Sequence, residues 1–114
     1  MPFINIHVTG TLDQAHKDAL KTRLGQIITI LPNKHESGLM VDISDGHSMY
    51  FQGNQLDKCA FVDVRLYKQS PFEEKGQFVK ALFEALEQIA GVPQNCVYLN
   101  FIELENWASR GGFR

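Results

Sequence analysis

The sequence contains little cysteine and no long apolar run. Cys59 and Cys96 are its only cysteines, and they show neither metal-ligand nor redox spacing, which favours two reduced, half-buried thiols over a disulfide. The longest mostly apolar run, at residues 27–31, is far shorter than the roughly 20 apolar residues of a transmembrane helix. The 4 histidines are scattered along the chain. We therefore expect no membrane segment and no metal site.

An excess of charge of one sign is also missing. The chain carries 11 Lys and Arg residues against 13 Asp and Glu residues, which gives a net charge of -2. This balance creates no strong field for nucleic acid or for an anionic membrane. The N-terminus, Met1-Pro2-Phe3, lacks the basic and apolar regions of a signal peptide. These features predict a cytoplasmic protein, although export without a leader stays open.

What is present is the composition of a folded domain. The chain has 114 residues, of which 44% are hydrophobic, and this is enough to bury a core. It has no low-complexity segment, which predicts a single domain over residues 1–114. Apolar periodicity predicts strands at residues 2–8, 39–44, 59–67 and 96–102, and helices at residues 12–31 and 71–90.

Both predicted helices have recognisable ends and an apolar stripe. Thr11 and Gln14 have the spacing of a capping box, and Ser70 with Glu73 repeats that spacing before the second helix. Gly91 predicts the end of the second helix. The stripes comprise Leu12, Ala15, Ala19, Leu20, Leu24, Ile27, Ile28 and Leu31 in the first helix, and Phe72, Val79, Leu82, Phe83, Leu86 and Ile89 in the second.

The two halves of the chain, residues 1–57 and 58–114, carry the same apolar pattern at an offset of 58 residues. The strand pattern around Ile4 recurs around Val62, and the helix pattern around Leu20 recurs around Phe78. Each helix is long enough to return a parallel strand, so each half is a β-α-β unit. The sequence therefore predicts an α+β fold with a tandem β-α-β repeat, whose four-stranded sheet carries two helices on one face.

The opposite face of the predicted sheet mixes apolar and charged side chains. Alternation along the strands assigns to it Phe3, Asn5, His7, Met40, Asp42, Phe61, Asp63, Arg65, Tyr67, Tyr98, Asn100 and Ile102. Water would disfavour the aromatic members, and a dry core would disfavour the charged ones. Both groups are accommodated if this face packs against the same face of other copies of the chain, around a polar centre. We therefore expect a closed homo-oligomer in which Arg65 pairs with Asp42 or Asp63.

Five stretches of the sequence resemble the tautomerase superfamily. They are Met1-Pro2-Phe3-Ile4, Lys34 ahead of Met40-Val41, Met49-Tyr50-Phe51-Gln52-Gly53, Cys59-Ala60, and Val97-Tyr98-Leu99-Asn100-Phe101 with Trp107 after it. Within the superfamily the chain is most similar to macrophage migration inhibitory factor and its bacterial relatives. The resemblance implies a mixed sheet, a homotrimer and active sites between neighbouring subunits.

The resemblance also implies the residues of the site. Pro2 matches the catalytic base, whose amine is free once the initiating methionine is removed. Lys34 matches the family's active-site lysine, and Tyr98 and Asn100 match a tyrosine and an asparagine from the adjacent subunit. Possible pocket-wall residues are Phe3, Met40, Phe51, Tyr67 and Trp107, of which Phe51 and Trp107 could equally pack at a subunit contact.

Keto–enol exchange needs a base whose pKa lies near the working pH. An α-amine ionises at lower pH than a lysine side chain, desolvation lowers its pKa further, and the ring of Pro2 restricts its orientation. Lys34 would hold a substrate carboxylate and stabilise enolate charge, while Tyr98 and Asn100 can donate hydrogen bonds. No metal or organic cofactor is required. Ala60 is the equivalent of Pro2 in the second half of the repeat and has no free amine, so only one half carries a base.

Three functions remain open from the sequence. The leading hypothesis is a tautomerase acting on a small 2-oxo or enol carboxylate such as phenylpyruvate. Residues 60–62 and 101–104 also resemble 5-carboxymethyl-2-hydroxymuconate isomerase, which uses the same terminal proline. The third hypothesis is a non-catalytic binding or signalling module. A thiol-redox role is not expected, because Val62 stands where a relative in the family completes a CxxC motif with Cys59.

Overall fold

Two parallel strand pairs, joined side by side in antiparallel orientation, form the main sheet. The structure is a computed structural model that describes residues 1–114. Its strands and helices are β1 (Pro2–Thr9), α1 (Gln14–Ile27), β2 (Met40–His47), β3 (Tyr50–Phe51), β4 (Asn54–Gln55), β5 (Ala60–Tyr67), α2 (Phe72–Ala90), β6 (Val97–Leu104), β7 (Ala108–Ser109) and β8 (Gly112–Phe113). Single 3₁₀ turns lie at Ile28–Ile30, Glu36–Gly38 and Gln94–Cys96.

The strand order of the main sheet is β2-β1-β5-β6. β1 is parallel to β2 and β5 is parallel to β6, while β1 and β5 run antiparallel, with Pro2 opposite Leu66 and Val8 opposite Ala60. Each parallel pair is connected through one long helix, as a β-α-β unit requires. The predicted tandem repeat and mixed four-stranded sheet are therefore confirmed.

One face of the sheet is buried under both helices. Alternate residues of β1 and β5, such as Ile4 and Val64, are fully buried, as are Leu24 of α1 and Phe78 of α2. The strands alternate between buried and partly exposed positions because successive side chains point to opposite faces. The predicted helix-bearing face is correct, and it leaves the mixed face free to contact other molecules.

The structure corrects the predicted start of α1 and part of its stripe. Asp13, not Thr11, caps the helix, because its carboxylate accepts the backbone N–H of His16. Ala15 and Ala19 are exposed, because the core reaches only the side of α1 that carries the larger apolar residues. The regular helix ends at Ile27 and continues as one 3₁₀ turn, which shortens the predicted element.

The start of α2 also differs from the prediction. Pro71 occupies the N-cap position and no side chain caps the helix. The Ser70 N–H instead donates to Glu103 on β6, and Phe72 points into solvent rather than into the stripe. The predicted end is correct, because Gly91 takes a left-handed conformation with φ of 69°.

Two short hairpins were not predicted. β3 pairs with β4 around Gln52 and Gly53, and β7 pairs with β8 around Arg110 and Gly111; all four turn residues have positive φ. Strands of two residues are too short to produce a readable period. The β7–β8 hairpin matters for function, because it forms one wall of the cleft described below.

The core prediction can be tested with two phenylalanines of the same helix. Phe78→Ala should lower the free energy of unfolding by about 3–5 kcal/mol, because it removes a fully buried ring. Phe72→Ala is the matched control: its ring is 87% exposed, so the change should stay within about 0.5 kcal/mol. Chemical denaturation of both variants measures the difference, and equal losses would show that the core is misassigned.

Candidate active site

The N-terminus is held in the sheet rather than hanging free. Pro2 is buried as the first residue of β1, and the Met1 carbonyl accepts the backbone N–H of Tyr67 at 3.2 Å. With Met1 in place, the Pro2 nitrogen is an amide nitrogen and carries no basic lone pair. The basic group in the described chain is the α-amine of Met1, which lies one residue further out.

A tight turn presents Lys34 to this N-terminus. Asn33 has a positive φ of 63°, and the Lys34 backbone N–H closes the turn on the Leu31 carbonyl at 3.2 Å. The Lys34 Nζ then donates to the Tyr67 carbonyl at 3.0 Å. The backbone of Tyr67 therefore holds both Lys34 and Met1, which fixes the lysine beside the terminal amine.

Helix α1 supports the loop that carries Lys34. The side chain of Glu36 lies against Gly25, where any Cβ would collide with its carboxylate. The loop can approach the helix this closely because residue 25 has no side chain. Lys34 is thus positioned by packing on both sides of its loop.

The α-amine of Met1 has a lowered pKa. Burial, together with the neighbouring Lys34 ammonium and its hydrogen bond, lowers the pKa of the Met1 α-amine from 8.0 to about 6. At neutral pH most of this amine is therefore uncharged. An uncharged amine near a fixed cation can accept a proton from a substrate that the cation holds.

Two clefts flank this amine. The first, of about 620 Å³, contains four of the residues predicted for the site: Pro2, Phe3, Met40 and Trp107. The second, of about 610 Å³, contains Lys34 and Tyr67. Met1 lines both clefts, so the two open onto the same point of the molecule.

The other predicted residues lie elsewhere in the same chain. Tyr98 and Phe51 are in edge-to-face contact, with ring centroids 5.1 Å apart, and line a separate apolar cavity of about 260 Å³. On β5, the partner of Pro2 is Leu66 and the partner of Tyr98 is Phe61, five residues away along the strand. Because β6 is also two strands from β1, Tyr98 is roughly 20 Å from Pro2. Asn100 lies opposite Asp63, midway along the edge strand β6. One chain alone does not bring these residues to Pro2.

The pairing of Arg65 with Asp42 or Asp63, which the sequence predicts inside the oligomer, is not made within the single chain. Asp42 accepts the side-chain amide of Asn5 at 3.0 Å, and none of the ion pairs involves Arg65. Register explains this, because Arg65 lies opposite Phe3, one row away from the two aspartates on the same face. Arg65 instead lines the first cleft.

An ion pair supports the far wall of the second cleft. The Glu103 carboxylate accepts the Lys75 ammonium at 2.7 Å and the Ser70 backbone N–H at 2.6 Å. Burial opposes ionisation of Glu103, but the hydrogen bonds from Lys75 and Ser70 together hold its pKa below the usual value. The pair fixes the chain between β5 and α2, where the second cleft lies. Sequence reasoning missed this role because it assigned Ser70 to a helix cap.

No helix is long and apolar enough to cross a membrane. No three His, Cys, Asp or Glu side chains are grouped so that they could share a metal ion. His7 and His47 approach each other, with ring nitrogens 3.3 Å apart, but no third such ligand joins them. His16 is exposed on α1.

Comparison with known families decides the classification. The sequence profile of macrophage migration inhibitory factor matches residues 1–112. The chain belongs to the macrophage migration inhibitory factor family. The resemblance of Met1-Pro2-Phe3-Ile4 and the later stretches is therefore confirmed at the family level. No curated protein is significantly similar to the chain in sequence.

Several solved structures share the fold of this chain. Leishmania major MIF2 has a TM-score of 0.93 at 22% identity, over 100% of this chain and 97% of that one. Macrophage migration inhibitory factor of Toxoplasma gondii has a TM-score of 0.84 at 26% identity, over 98% and 99%. Pt0534 inactivated by 2-oxo-3-pentynoate has a TM-score of 0.86 at 16% identity, over 96% and 93%.

Proposed function

We propose that this member of the macrophage migration inhibitory factor family is a cofactor-independent keto–enol tautomerase of small 2-oxo acids, such as phenylpyruvate. The observation that carries the proposal is the position of the N-terminus: the Met1 α-amine, whose pKa is lowered to about 6, lies beside Lys34 and lines two clefts, and Pro2, the next residue, lines the first of them. A base with this pKa is mostly uncharged at neutral pH while its conjugate acid can still return the proton. The structural neighbour inactivated by 2-oxo-3-pentynoate supports this substrate class.

In the proposed reaction, Met1 has been removed and the Pro2 nitrogen is a secondary amine. In the ketonising direction this amine takes the proton of the enol hydroxyl, and the O–H electron pair forms the carbonyl. The electron pair of the C=C bond then takes a proton from the prolinium at carbon, which restores the free amine. The reaction is an isomerisation, so no oxidant, reductant or leaving group is needed.

Lys34 has two roles in this proposal: it binds the substrate carboxylate, and it stabilises the negative charge that develops on the enolate oxygen. Its ammonium is already oriented by the hydrogen bond to the Tyr67 carbonyl at 3.0 Å, so little reorganisation is needed when substrate binds. Phe3, Met40 and Trp107 supply an apolar wall on the first cleft. This wall keeps water away from the amine and so favours its uncharged form.

Tyr98 and Asn100 enter the proposal through a homotrimer. In their own chain both lie two strands away from Pro2, Tyr98 at roughly 20 Å and Asn100 at roughly 14 Å, so they can reach a Pro2 only on a neighbouring subunit. The edge strand β6 that carries them is unpaired on one side, which suits pairing with another copy. In the trimer, each active site combines Pro2 and Lys34 of one subunit with Tyr98 and Asn100 of the next.

The proposal is tested by a ketonisation assay on two forms of the protein. One form begins at Pro2, and the matched control retains Met1; intact mass verifies both N-termini. The enol of phenylpyruvate should be consumed at least about 100-fold faster by the Pro2 form, because in the control that nitrogen is an amide and the amine is displaced by one residue. Ultraviolet absorbance follows the enol. Equal rates above buffer in both forms would remove the Pro2 amine from the mechanism. No rate above buffer in either form would leave a non-catalytic binding role as the better explanation.

A further inference from the structure

Three sulfur-containing side chains line one small cavity at the end of the sheet that is far from Pro2. Met49, Cys59 and Cys96 all contribute to the apolar cavity of about 260 Å³ described above. All 8 residues that line this cavity are hydrophobic. Cys59 directly precedes β5, whereas Pro2 is paired with Leu66 near the other end of that strand. The cavity is therefore separate from the two clefts beside the N-terminus.

The sheet brings the two cysteines together although they lie far apart in the sequence. Ala60 and Val97 are partners on the parallel strands β5 and β6, and each cysteine is the residue directly before one of them. Adjacent strands lie about 5 Å apart, and residues at equivalent positions point to the same face. Cys59 and Cys96 accordingly line the same cavity, and both are free thiols. Sequence spacing does not reveal this pair, because it forms only when β5 pairs with β6.

Met49 supplies the third sulfur of the cavity. The Cys59 thiol donates to the Met49 Sδ, and the two sulfur atoms are 3.7 Å apart. In a trigonal site with metal–sulfur bonds of about 2.3 Å, neighbouring sulfur atoms are about 4 Å apart. The observed separation of these two sulfurs is thus close to the one that a shared metal ion needs.

Backbone hydrogen bonds hold both cysteines in place. The Cys59 N–H donates to the Thr9 Oγ1 at 3.0 Å, and the Cys59 carbonyl accepts the Thr9 N–H at 3.1 Å. Cys96 ends a 3₁₀ turn, in which its N–H donates to the Pro93 carbonyl at 2.9 Å. Cys59 is buried, whereas Cys96 and Met49 are half-buried. The cavity therefore combines ordered ligands with a side that an ion can enter from solvent.

The donor atoms of the cavity select the kind of metal. Thiolate and thioether sulfurs are soft donors, and soft donors favour Cu(I) over harder ions. Zn(II) prefers four ligands drawn from cysteine, histidine and carboxylates, and methionine is not among its usual ligands. The cavity is lined by neither histidine nor carboxylate. Its ligand set is therefore better suited to Cu(I) than to Zn(II).

We propose that Met49, Cys59 and Cys96 form a binding site for one Cu(I) ion per chain. Each cysteine binds as its thiolate, so binding releases the two thiol protons and leaves the oxidation state of copper unchanged. The half-buried Cys96 meets the ion first, and Cys59 and Met49 complete a set of three sulfur ligands inside the cavity. The proposed isomerisation does not use this ion, so the site is independent of the proposed function.

The test measures Cu(I) binding by the reduced full chain under anaerobic conditions. The ion is presented as its coloured complex with bicinchoninate, and loss of colour reports transfer of copper to the protein. We expect transfer of one equivalent per chain, with only sulfur in the first coordination shell by X-ray absorption. Cys96→Ser should weaken binding at least about 100-fold and Met49→Leu at least about 10-fold, because even outer-shell partners of a metal are worth about 10- to 100-fold in affinity.

Two variants are matched controls. Met40→Leu makes the same exchange as Met49→Leu, but in the first cleft, and should leave Cu(I) affinity unchanged. His47→Gln breaks the close pair of His7 and His47, whose nitrogens could also bind a metal, and should likewise leave it unchanged. Cys96 and Met49 are only half-buried, so their variants should remain folded, which circular dichroism and melting temperatures verify.

The outcomes decide the proposal in either direction. Transfer of one Cu(I) that is weakened by both Cys96→Ser and Met49→Leu, and by neither control, would uphold the site. Full retention of Cu(I) by either cavity variant would show adventitious binding or a different ligand set and would overturn it, as would the absence of transfer to the parent chain. Zn(II) is measured in the same way against its own chelator, and an affinity equal to that for Cu(I) would overturn the assignment of the site to copper.

Discussion

Changing Pro2 to glycine, in protein that begins at residue 2, should lower kcat/KM for enol ketonisation by about 10²–10⁴-fold, the usual contribution of a positioned general base. Glycine retains an amine, but it is a primary amine without the ring that restricts its orientation. It also weakens the first position of β1, where Pro2 is buried opposite Leu66. Both effects reduce the fraction of time that the nitrogen faces the substrate.

Pro93→Gly is the matched control for this prediction. It makes the same exchange in the loop after α2, and Pro93 lines none of the cavities. Its kcat/KM should stay near that of the parent. Steady-state rates on phenylpyruvate enol and melting temperatures of both variants make the comparison. Full activity in Pro2→Gly would remove Pro2 from the mechanism, whereas an equal loss in Pro93→Gly would point to a general effect of glycine on folding.

The fold was predictable because the apolar pattern of each strand and helix is local and recurs in both halves of the chain. Strand alternation around Ile4 and Val62 and helix periodicity around Leu24 and Leu82 each identify a buried face, and these faces assemble into the observed core. Errors fell at helix starts, where a one-residue choice such as Asp13 over Thr11 depends on which carboxylate reaches the first free N–H.

The candidate site was only partly predictable. Pro2 and Lys34 were found through family resemblance, and the structure brings the Met1 amine and Lys34 together on the backbone of Tyr67. Arg110, which lines the first cleft, was missed because it lies in a two-residue hairpin without periodicity. The pairing of Arg65 with Asp42 or Asp63 inside the oligomer stays a prediction, because strand parity identifies the face of a residue but not the row to which it belongs, and within one chain Arg65 lies one row from both aspartates.

The pKa of the terminal amine depends on its burial and on Lys34. Burial is the largest cause of the lowered amine pKa, and the Lys34 charge and hydrogen bond add to it. In the protein that begins at Pro2, the amine is a base only when it is uncharged, so kcat/KM should rise with pH through the pKa of that amine, and the surroundings that lower the pKa of the Met1 amine should place this midpoint below the ordinary α-amine value. Anything that weakens the two causes raises the pKa and moves this midpoint upward.

Lys34→Ala should therefore do two things at once. It should lower kcat/KM by about 10²–10³-fold, as expected when a preorganised cation is lost from a developing oxyanion. It should also shift the pH midpoint upward, because the amine loses the neighbouring charge that opposes its protonation. Profiles of kcat/KM between pH 5 and 9 measure both effects, since the plateau reports oxyanion stabilisation and the midpoint reports the amine.

Two further variants assign the effect to the charge at this position. Lys34→Arg keeps a cation and should hold the midpoint low, although its planar guanidinium will not reproduce the contact of the ammonium with the Tyr67 carbonyl. Lys21→Ala removes an exposed cation of α1 and should change neither plateau nor midpoint. If Lys34→Ala lowered the plateau without moving the midpoint, Lys34 would act on substrate alone and burial would account for the acidity of the amine. An unchanged plateau would exclude Lys34 from catalysis, because a cation so close to the base must affect any enolate formed there.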